Sequence, residues 1–200
     1  MALFWLIIPQ GLEADLGGKE GLKIQLIPVG QVDSTQLGFL VSKLEEIFGA
    51  KVYFGSTWPL PPEAYNSRRG QYLSALILKR ARAFFSLGPD EKALLLTDID
   101  LYAEGLNFVF GEAEINGSWA IISLCRLKES FYSRPERKEL YEIRAVKEAV
   151  HELGHVFGLR HCLNLECVMY FSNSLSDTDR KGWRFCSRCQ VLLTSLTQSR

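Results

Sequence analysis

Hydrophobic and polar positions alternate over residues 23–30, a pattern that predicts a first β-strand. Residues 51–55 suit a second short strand, and the three prolines within residues 56–66 predict a loop after it. Between the two strands, apolar residues recur at the three- and four-residue spacing of a helix that Gly49 ends: Leu37, Leu40, Val41, Leu44, Ile47 and Phe48.

A second helical pattern covers residues 67–87, and an unbroken apolar run at residues 93–99 suits a strand that is buried on both faces. Two further strands are predicted near residues 106–113 and 119–125, with a turn at residues 116–117 between them. Strands and helices are therefore mixed along the chain, which fits an α+β domain.

The next helix is predicted to begin at residues 133–136, whose serine and glutamate match a capping box. His151 and His155 lie about 100–140° away from the apolar seam of this helix. Arg144 and Glu148 share the histidine side and are spaced to form a solvated ion pair, although Glu148 could instead orient His151. The seam itself consists of Ile143, Val146, Val150, Leu153 and Phe157.

Residues 151–161 read HELGHVFGLRH, fit the pattern H-E-x-x-H-x-x-G-x-x-H, and contain all three histidines of the chain. His151 and His155 are four residues apart, so both imidazoles project from one helix face and can bind one ion. Gly158 allows the backbone to leave the helix through a left-handed conformation, after which His161 can return as a third ligand. Three imidazoles leave a fourth tetrahedral position open for water, as in catalytic zinc sites.

Glu152 lies beside the first histidine without being a ligand in this pattern. From there it can take a proton from a metal-bound water and pass it to a leaving amine. A bare H-E-x-x-H can arise by chance, but the further matches at Gly158 and His161 argue against chance. The sequence therefore predicts a zinc-dependent enzyme that hydrolyses peptide bonds.

A second set of possible metal ligands follows the histidines. Its spacing is C-x4-C-x18-C-x-x-C, and four thiolates so spaced can enclose a structural zinc ion. The alternative is two disulfides, but an odd total of five cysteines clustered near a histidine site favours metal binding and a cytoplasmic location. The fifth, Cys125, is predicted to be buried packing. The four ligands would be Cys162, Cys167, Cys186 and Cys189.

The long histidine motif followed by Met169 resembles the metzincin metalloproteases. The continuation HCLNLECVMYF and then RFCSRC is similar to the archaemetzincins, which carry four cysteines for a second zinc. The stretches YNSRRGQYLSALIL and LLLTDIDLY extend the resemblance to about residues 22–195. It implies a metzincin-like zincin of the α+β class, with a mixed twisted sheet and the active-site helix in an upper lobe. A small lower lobe would be held by the cysteine-bound zinc, so that each chain would contain two zinc ions.

The resemblance also implies roles for particular residues. Met169 would form a hydrophobic floor below the histidines, although a methionine in an apolar run is otherwise simply core. Residues 119–124 would be the sheet edge that binds an extended substrate, with an ordinary core strand as the alternative. Residues 170–174 would line the pocket for the substrate residue after the scissile bond, and Phe171 would favour an apolar side chain there.

Length and composition limit the remaining possibilities. Two hundred residues with 23 basic and 23 acidic side chains suggest one domain, which we expect to be monomeric. The resemblance implies a catalytic domain at 21–200, with lobes at about 21–161 and 162–200. Residues 1–20 would be an extension of unknown role, because MALFWLIIPQ has no basic flank and is too short to span a bilayer.

We expect a peptide or protein substrate and neither nucleic acid nor a membrane as partner. The basic residues near the C terminus alternate with acidic ones and are interpreted as solvated surface: Arg180, Lys181, Arg184 and Arg188. Two alternatives remain open. One is a non-catalytic zinc protein that binds a peptide or partner, and the other is a zinc-ribbon adaptor whose nucleic-acid affinity would depend strongly on salt.

Overall fold

A computed structural model describes residues 21–198 of the chain. The N-terminal extension predicted at residues 1–20 lies outside the described residues. The strands are β1 (Lys23–Val29), β2 (Lys51–Phe54), β3 (Tyr65–Asn66), β4 (Gln71–Leu73), β5 (Glu91–Thr97), β6 (Leu101–Tyr102), β7 (Gly111–Ala113) and β8 (Trp119–Ser123). The α-helices are α1 (Gly38–Phe48), α2 (Ser74–Phe84), α3 (Lys138–Val156), α4 (Leu175–Arg180) and α5 (Ser187–Gln198).

The main sheet has the strand order β2-β1-β5-β8-β7, in which only β7 runs antiparallel to its neighbour. Its central strand β5 is buried on both faces, as the unbroken apolar run predicts. Leu94 and Leu96 face the larger core under α1 and α3, whereas Ala93 and Leu95 face a second core under α2. Period-two alternation therefore divides one apolar strand between two helix layers.

The helix predicted at residues 67–87 is shorter than expected, because its first part forms strand β4 and the helix runs only from Ser74 to Phe84. Gly70 has a φ of 66°, which no helix allows. The amide of Tyr72 donates to the carbonyl of Asp100 at 2.9 Å, and Gln71 Nε2 donates to Asp100 Oδ2 at 3.0 Å. Pairing with a distant segment thus overrides the local helical pattern.

The prediction that residues 119–124 form the sheet edge is wrong. Strand β8 lies between two partners, since Ile121 pairs with Leu95 of β5 on one side and with Glu112 of β7 on the other. The turn at Asn116 folds the chain back, so that β7 becomes the outer strand of the described sheet. Both β7 and β8 pack against α3, and β7 is the outer strand that approaches Glu152.

The start of α3 also differs from its prediction. Ser133 has a φ of 57° and ends a short 3₁₀ turn, while Glu136 accepts a hydrogen bond from the amide of Ser130 at 2.8 Å. The capping box is consequently not formed, and the helix begins at Lys138. The side chain of Glu136 accepts its hydrogen bond from the preceding turn and is therefore not available to cap the helix.

Arg144 and Glu148 are not the solvated ion pair that their spacing predicts, because both side chains are buried. Arg144 binds Asp179 through two hydrogen bonds of 2.6 and 2.7 Å and pairs with Glu129 at 2.7 Å. Glu148 instead pairs with Lys181 at 3.0 Å. The segment around α4 packs on this face of α3, so charges that the helical pattern exposes become internal.

Candidate active site

The three histidines come together at the end of α3. Their ring nitrogens lie within 4.8 Å of one another, and the Nε2 atoms of His151 and His155 are 3.1 Å apart. The helix ends after Val156, where Gly158 has a φ of 103° and donates to the carbonyl of His155 at 2.9 Å. This left-handed turn, which the sequence predicts, returns the chain so that His161 faces the other two rings.

Backbone carbonyls fix the orientation of the two helical imidazoles. His151 Nδ1 lies 2.8 Å from the carbonyl oxygen of Val168, and His155 Nδ1 lies 2.8 Å from that of Leu159. A carbonyl only accepts, so each Nδ1 carries the proton and each Nε2 presents a lone pair. Two lone pairs facing each other at this distance suit a shared cation, and the donor set therefore fits zinc.

The surroundings keep the imidazoles neutral. Burial, followed by the positive charge of Lys181, lowers the pKa of His151 well below its usual value. Burial also lowers the pKa of His155 and of His161, and Lys181 contributes in both cases. Neutral imidazole is the form that binds a metal ion, so the electrostatics agree with the geometry.

Glu152 lies in a confined position beside β7. Burial, reinforced by the charges of Glu148 and Glu112 and opposed by Lys181, raises its pKa well above the usual carboxyl value. A Cβ placed on Gly111 would lie 2.6 Å from Glu152 Cγ and 2.8 Å from Oε1. The sequence analysis did not single out Gly111, although a glycine within a strand is a known sign of close approach.

Met169 is fully buried against the same helix. A Cβ on Gly154, which lies between the two helical histidines in sequence, would come within 2.5 Å of Met169 Sδ. The carbonyl of Met169 accepts a hydrogen bond from the amide of Cys162 at 2.9 Å. The methionine therefore packs against helix α3 between its two histidines, and its expected role as a floor below them stays a prediction.

The four cysteines after the histidines form one cluster, with all sulfurs within 4.8 Å of one another. Amide groups point at the sulfurs, since Cys186 N donates to Cys167 Sγ at 3.3 Å and Asn164 N donates to Cys162 Sγ at 3.5 Å. The hydrogen bond from the backbone of Cys189 contributes most to lowering the pKa of Cys186 to about 7. Burial raises the pKa of Cys167 and of Cys189, so the interpretation rests on geometry: four sulfurs in one convergent cluster fit a tetrahedral zinc better than two separate disulfides.

A cleft of about 530 Å³ opens onto the histidines and Glu152. Glu112 of β7 lines it, as does Phe171, whose ring centroid lies 4.7 Å from that of His161. Phe171 is 44% exposed, so it contacts the site but does not close it. The expected role of Phe171, as part of the pocket for the substrate residue after the scissile bond, stays a prediction.

The cleft also contains side chains that the sequence analysis missed. Lys181 was interpreted as solvated surface, yet its side chain is 0% exposed and its Nζ lies 3.0 Å from Glu148 Oε1. Lys181, Glu148 and Ser172 all line the cleft. Their sequence neighbourhood is polar and mixed in charge, so only the packing of α4 against α3 shows that they are internal.

An α+β fold whose long helix ends in a three-histidine cluster with a buried glutamate defines a zinc metallopeptidase. Residues 69–195 match the model for Peptidase family M54. The chain belongs to this family, and the curated proteins that it is similar to include archaemetzincins. The resemblance, the α+β fold and the enzyme class expected from the sequence are thereby confirmed.

The individual relatives agree closely with this chain. The archaemetzincin of Methanocaldococcus jannaschii is 48% identical over 84% of this chain and 90% of its own length. The archaemetzincin of Pyrococcus furiosus is 44% identical over 83% of this chain and 89% of its own.

Solved structures give the same result. The structure from Methanopyrus kandleri superposes with a TM-score of 0.78 at 40% identity and covers 88% of this chain and 96% of that one. The structure from Archaeoglobus fulgidus, complexed with malonate, has a TM-score of 0.73 at 43% identity and covers 85% of this chain and 99% of that one. Among residues 21–198, no helix combines the length and apolarity needed to cross a membrane.

Proposed function

We propose that His151, His155 and His161 hold the catalytic zinc of this metallopeptidase and that Glu152 is its general base and acid. The observation that carries the proposal is the convergence of three neutral imidazoles beside one buried carboxylate. When bound, zinc polarises the scissile carbonyl and lowers the pKa of water. The residues of the chain supply the position, the proton transfer and the exclusion of solvent.

Each residue has a defined part in this proposal. The carbonyls of Val168 and Leu159 hold the imidazoles in the tautomer that leaves Nε2 free. Glu152 accepts the proton of the attacking water and then donates it to the leaving amine. Burial supports this exchange, because the raised pKa of Glu152 brings its proton affinity closer to that needed at neutral pH.

We also infer that the four cysteines hold a second, structural zinc ion. Four sulfurs converge, which is enough to fill the tetrahedral coordination of a zinc ion, and backbone amides are directed at two of them. Cys162 follows His161 directly and its amide binds the carbonyl of Met169. The second ion would thus hold the loop on which the third histidine and the methionine both depend.

The outer edge of β7 is suited to bind an extended peptide substrate. Strand β7 is the outer strand of the described sheet, and its residues Gly111 and Glu112 border the cleft beside Glu152. A peptide added there would gain backbone hydrogen bonds that do not depend on its sequence. The proposed catalytic unit is a single domain from residue 21, with its cleft between the sheet and the segment after residue 161.

The experiment combines zinc analysis with cleavage of a mixed quenched-fluorescent peptide library by the wild type and by Glu152→Gln. Two zinc ions in both proteins, with cleavage lost only in the variant, would support the whole proposal. One zinc ion with retained cleavage would remove the structural site. Zinc binding without cleavage by the wild type would instead favour the non-catalytic peptide-binding protein.

A further inference from the structure

Two polar groups in the catalytic cleft are enclosed without a hydrogen-bond partner. They are Lys181 Nζ and Ser172 Oγ, and within residues 21–198 no acceptor or donor satisfies either atom by hydrogen-bond geometry. Both residues line the same cleft as the three histidines and Glu152. Buried polar groups are normally satisfied, so two groups with unused hydrogen-bonding capacity that line a cleft are suited to bind a polar group of a substrate.

Glu148 balances the charge of Lys181 but fills at most one of its three donors. Nζ lies 3.0 Å from Glu148 Oε1, while the same oxygen accepts a hydrogen bond from Thr178 Oγ1 at 3.0 Å. An ammonium has three N–H donors, and one carboxylate oxygen at one side leaves the others free. The ion pair therefore lowers the energetic cost of burying Lys181, but it does not satisfy all the hydrogen-bond donors of the ammonium.

A second buried lysine nearby, Lys147, has two backbone acceptors for its ammonium group. Lys147 Nζ donates to the carbonyls of Thr178 and Asp179 at 2.9 and 3.0 Å, and Lys147 does not line the cleft. The same segment thus satisfies one ammonium with backbone oxygens and leaves the other facing the catalytic cleft. This difference indicates that the free donors of Lys181 belong to the cleft rather than to the core.

We propose that Lys181 and Ser172 form a carboxylate-binding subsite in the cleft, which selects peptides with an acidic side chain or a free C terminus beside the scissile bond. A carboxylate has two oxygens, and each can accept a hydrogen bond from an ammonium or a hydroxyl. Phe171, next to Ser172, contacts His161, so the subsite adjoins the histidine cluster. This inference rests on the proposed function only in taking this cleft as the place where substrate binds.

Charge alone does not fix the preference, because Glu112, Glu148 and Glu152 also line the cleft. The preference for a carboxylate comes from the free N–H donors of Lys181, since an anionic acceptor makes stronger hydrogen bonds to an ammonium than a neutral amide does. The exposed cation Arg160 also lines the cleft and is the main competing explanation for any acidic preference. The test must therefore separate the enclosed donors from this exposed charge.

The test uses three short peptides and the full-length, zinc-loaded Glu152→Gln protein, which serves as the parent because it does not consume them. Acetyl-Ala-Glu-amide carries a side-chain carboxylate, acetyl-Ala-Gln with a free C terminus carries a terminal one, and acetyl-Ala-Gln-amide carries none. Dissociation constants are measured by NMR titration of the isotope-labelled protein. We expect at least one carboxylate peptide to bind about tenfold or more tightly than the neutral peptide, and the arm that shows this identifies the source of the carboxylate.

Substitutions then assign the preference to the subsite. Ser172→Ala leaves the ion pair intact and should reduce the preference by about two- to tenfold. Lys181→Met alone would leave Glu148 buried and unpaired, so the second variant is Glu148→Gln combined with Lys181→Met, which should abolish the preference. In either protein, affinity for the neutral peptide should fall by less than affinity for the carboxylate peptides. The matched control Arg160→Gln should change the preference by less than about twofold, as expected for an exposed charge.

Three results would overturn the proposal: equal binding of all three peptides, no binding of either acidic peptide at millimolar concentration, or a preference that survives both variants. In the last case the carboxylate would be held by the metal or by Arg160. These failures are separable from failure of the proposed function. If the protein prefers acidic peptides but cleaves nothing, only the proposed catalysis is contradicted. If it cleaves peptides without an acidic preference, only the proposed subsite is contradicted.

Discussion

Gly111 of the outer strand and Glu152 of the active-site helix lie in such close approach that a methyl group on the glycine would overlap the glutamate. The added Cβ would be 2.8 Å from Glu152 Oε1 and equally close to the carbonyl oxygen of Ile121. Backbone lies on one side and the carboxylate on the other. The absence of a side chain at residue 111 therefore determines where the carboxylate can sit.

Gly111→Ala should lower kcat for peptide cleavage by about tenfold or more, since a small misplacement of a general base is costly. It should also destabilise the protein by about 1–3 kcal/mol through overpacking. Steady-state kinetics, thermal unfolding and zinc analysis measure the three consequences separately.

The control is Gly38→Ala, because a Cβ at Gly38 meets nothing within 4 Å. Activity there should stay at the wild-type level, with stability unchanged or slightly higher. Normal kcat in Gly111→Ala would show that β7 moves aside and does not position Glu152.

Cys186→Ser should remove one zinc ion per chain and lower the melting temperature, because the four-sulfur cluster loses a ligand. Peptidase activity should fall as well, since the loop from His161 to Met169 begins at this cluster. Zinc content, thermal unfolding and cleavage should change together.

The matched control for that variant is Cys125→Ser, which lies outside both clusters. It should retain the zinc content of the wild type. Unchanged zinc content in Cys186→Ser would contradict the assignment of the structural site.

Cys125 should react slowly with iodoacetamide in the folded, zinc-loaded protein. Burial, together with the negative charges of Asp100 and Asp98, raises the pKa of this thiol to about 11. Only the thiolate reacts, and a raised pKa means less thiolate at any pH below it. The alkylation rate should therefore increase about tenfold per pH unit between pH 7 and 10, as measured by mass spectrometry.

Denaturant provides the reference for Cys125. In the unfolded chain the thiol should titrate near its ordinary pKa of about 8.5, so alkylation should be fast at pH 9. Equal rates for folded and unfolded protein at pH 8 would show that the thiol is not shielded.

Arg144→Leu should lower the free energy of unfolding by about 3–5 kcal/mol, because it leaves buried Glu129 with only its longer ion pair, 3.6 Å, to the exposed Arg134. Arg144 is 2% exposed and pairs with Glu129 at 2.7 Å. Urea denaturation monitored by fluorescence measures the change. The control Lys43→Ala breaks an exposed pair with Glu46 and should change the free energy of unfolding far less.

The sequence was informative where the relevant residues are close together along the chain. His151 and His155 are one helical turn apart, Gly158 supplies the turn, and His161 follows within three residues, so local geometry predicts their convergence. The cysteine cluster was predictable for a similar reason, because its spacing matches a common zinc-binding pattern.

Features that depend on distant pairing were not predictable. Tyr72 leaves its helical pattern because Asp100 offers a strand partner, and β7 becomes the outer strand only through the order of the whole sheet. Lys181 looks solvated in its polar neighbourhood, and only the packing against α3 buries it beside Glu148. Such outcomes are set by tertiary contacts that no sequence window contains.

The single peptide bond between His161 and Cys162 has a consequence for how the enzyme matures. On the proposed ligand assignment, a newly made chain must fill the sulfur cluster before its third imidazole is held in place. Thiolates compete strongly for scarce zinc. A cell short of the metal would therefore accumulate chains that are folded and stable yet idle, and peptidase activity would follow zinc supply more steeply than protein abundance.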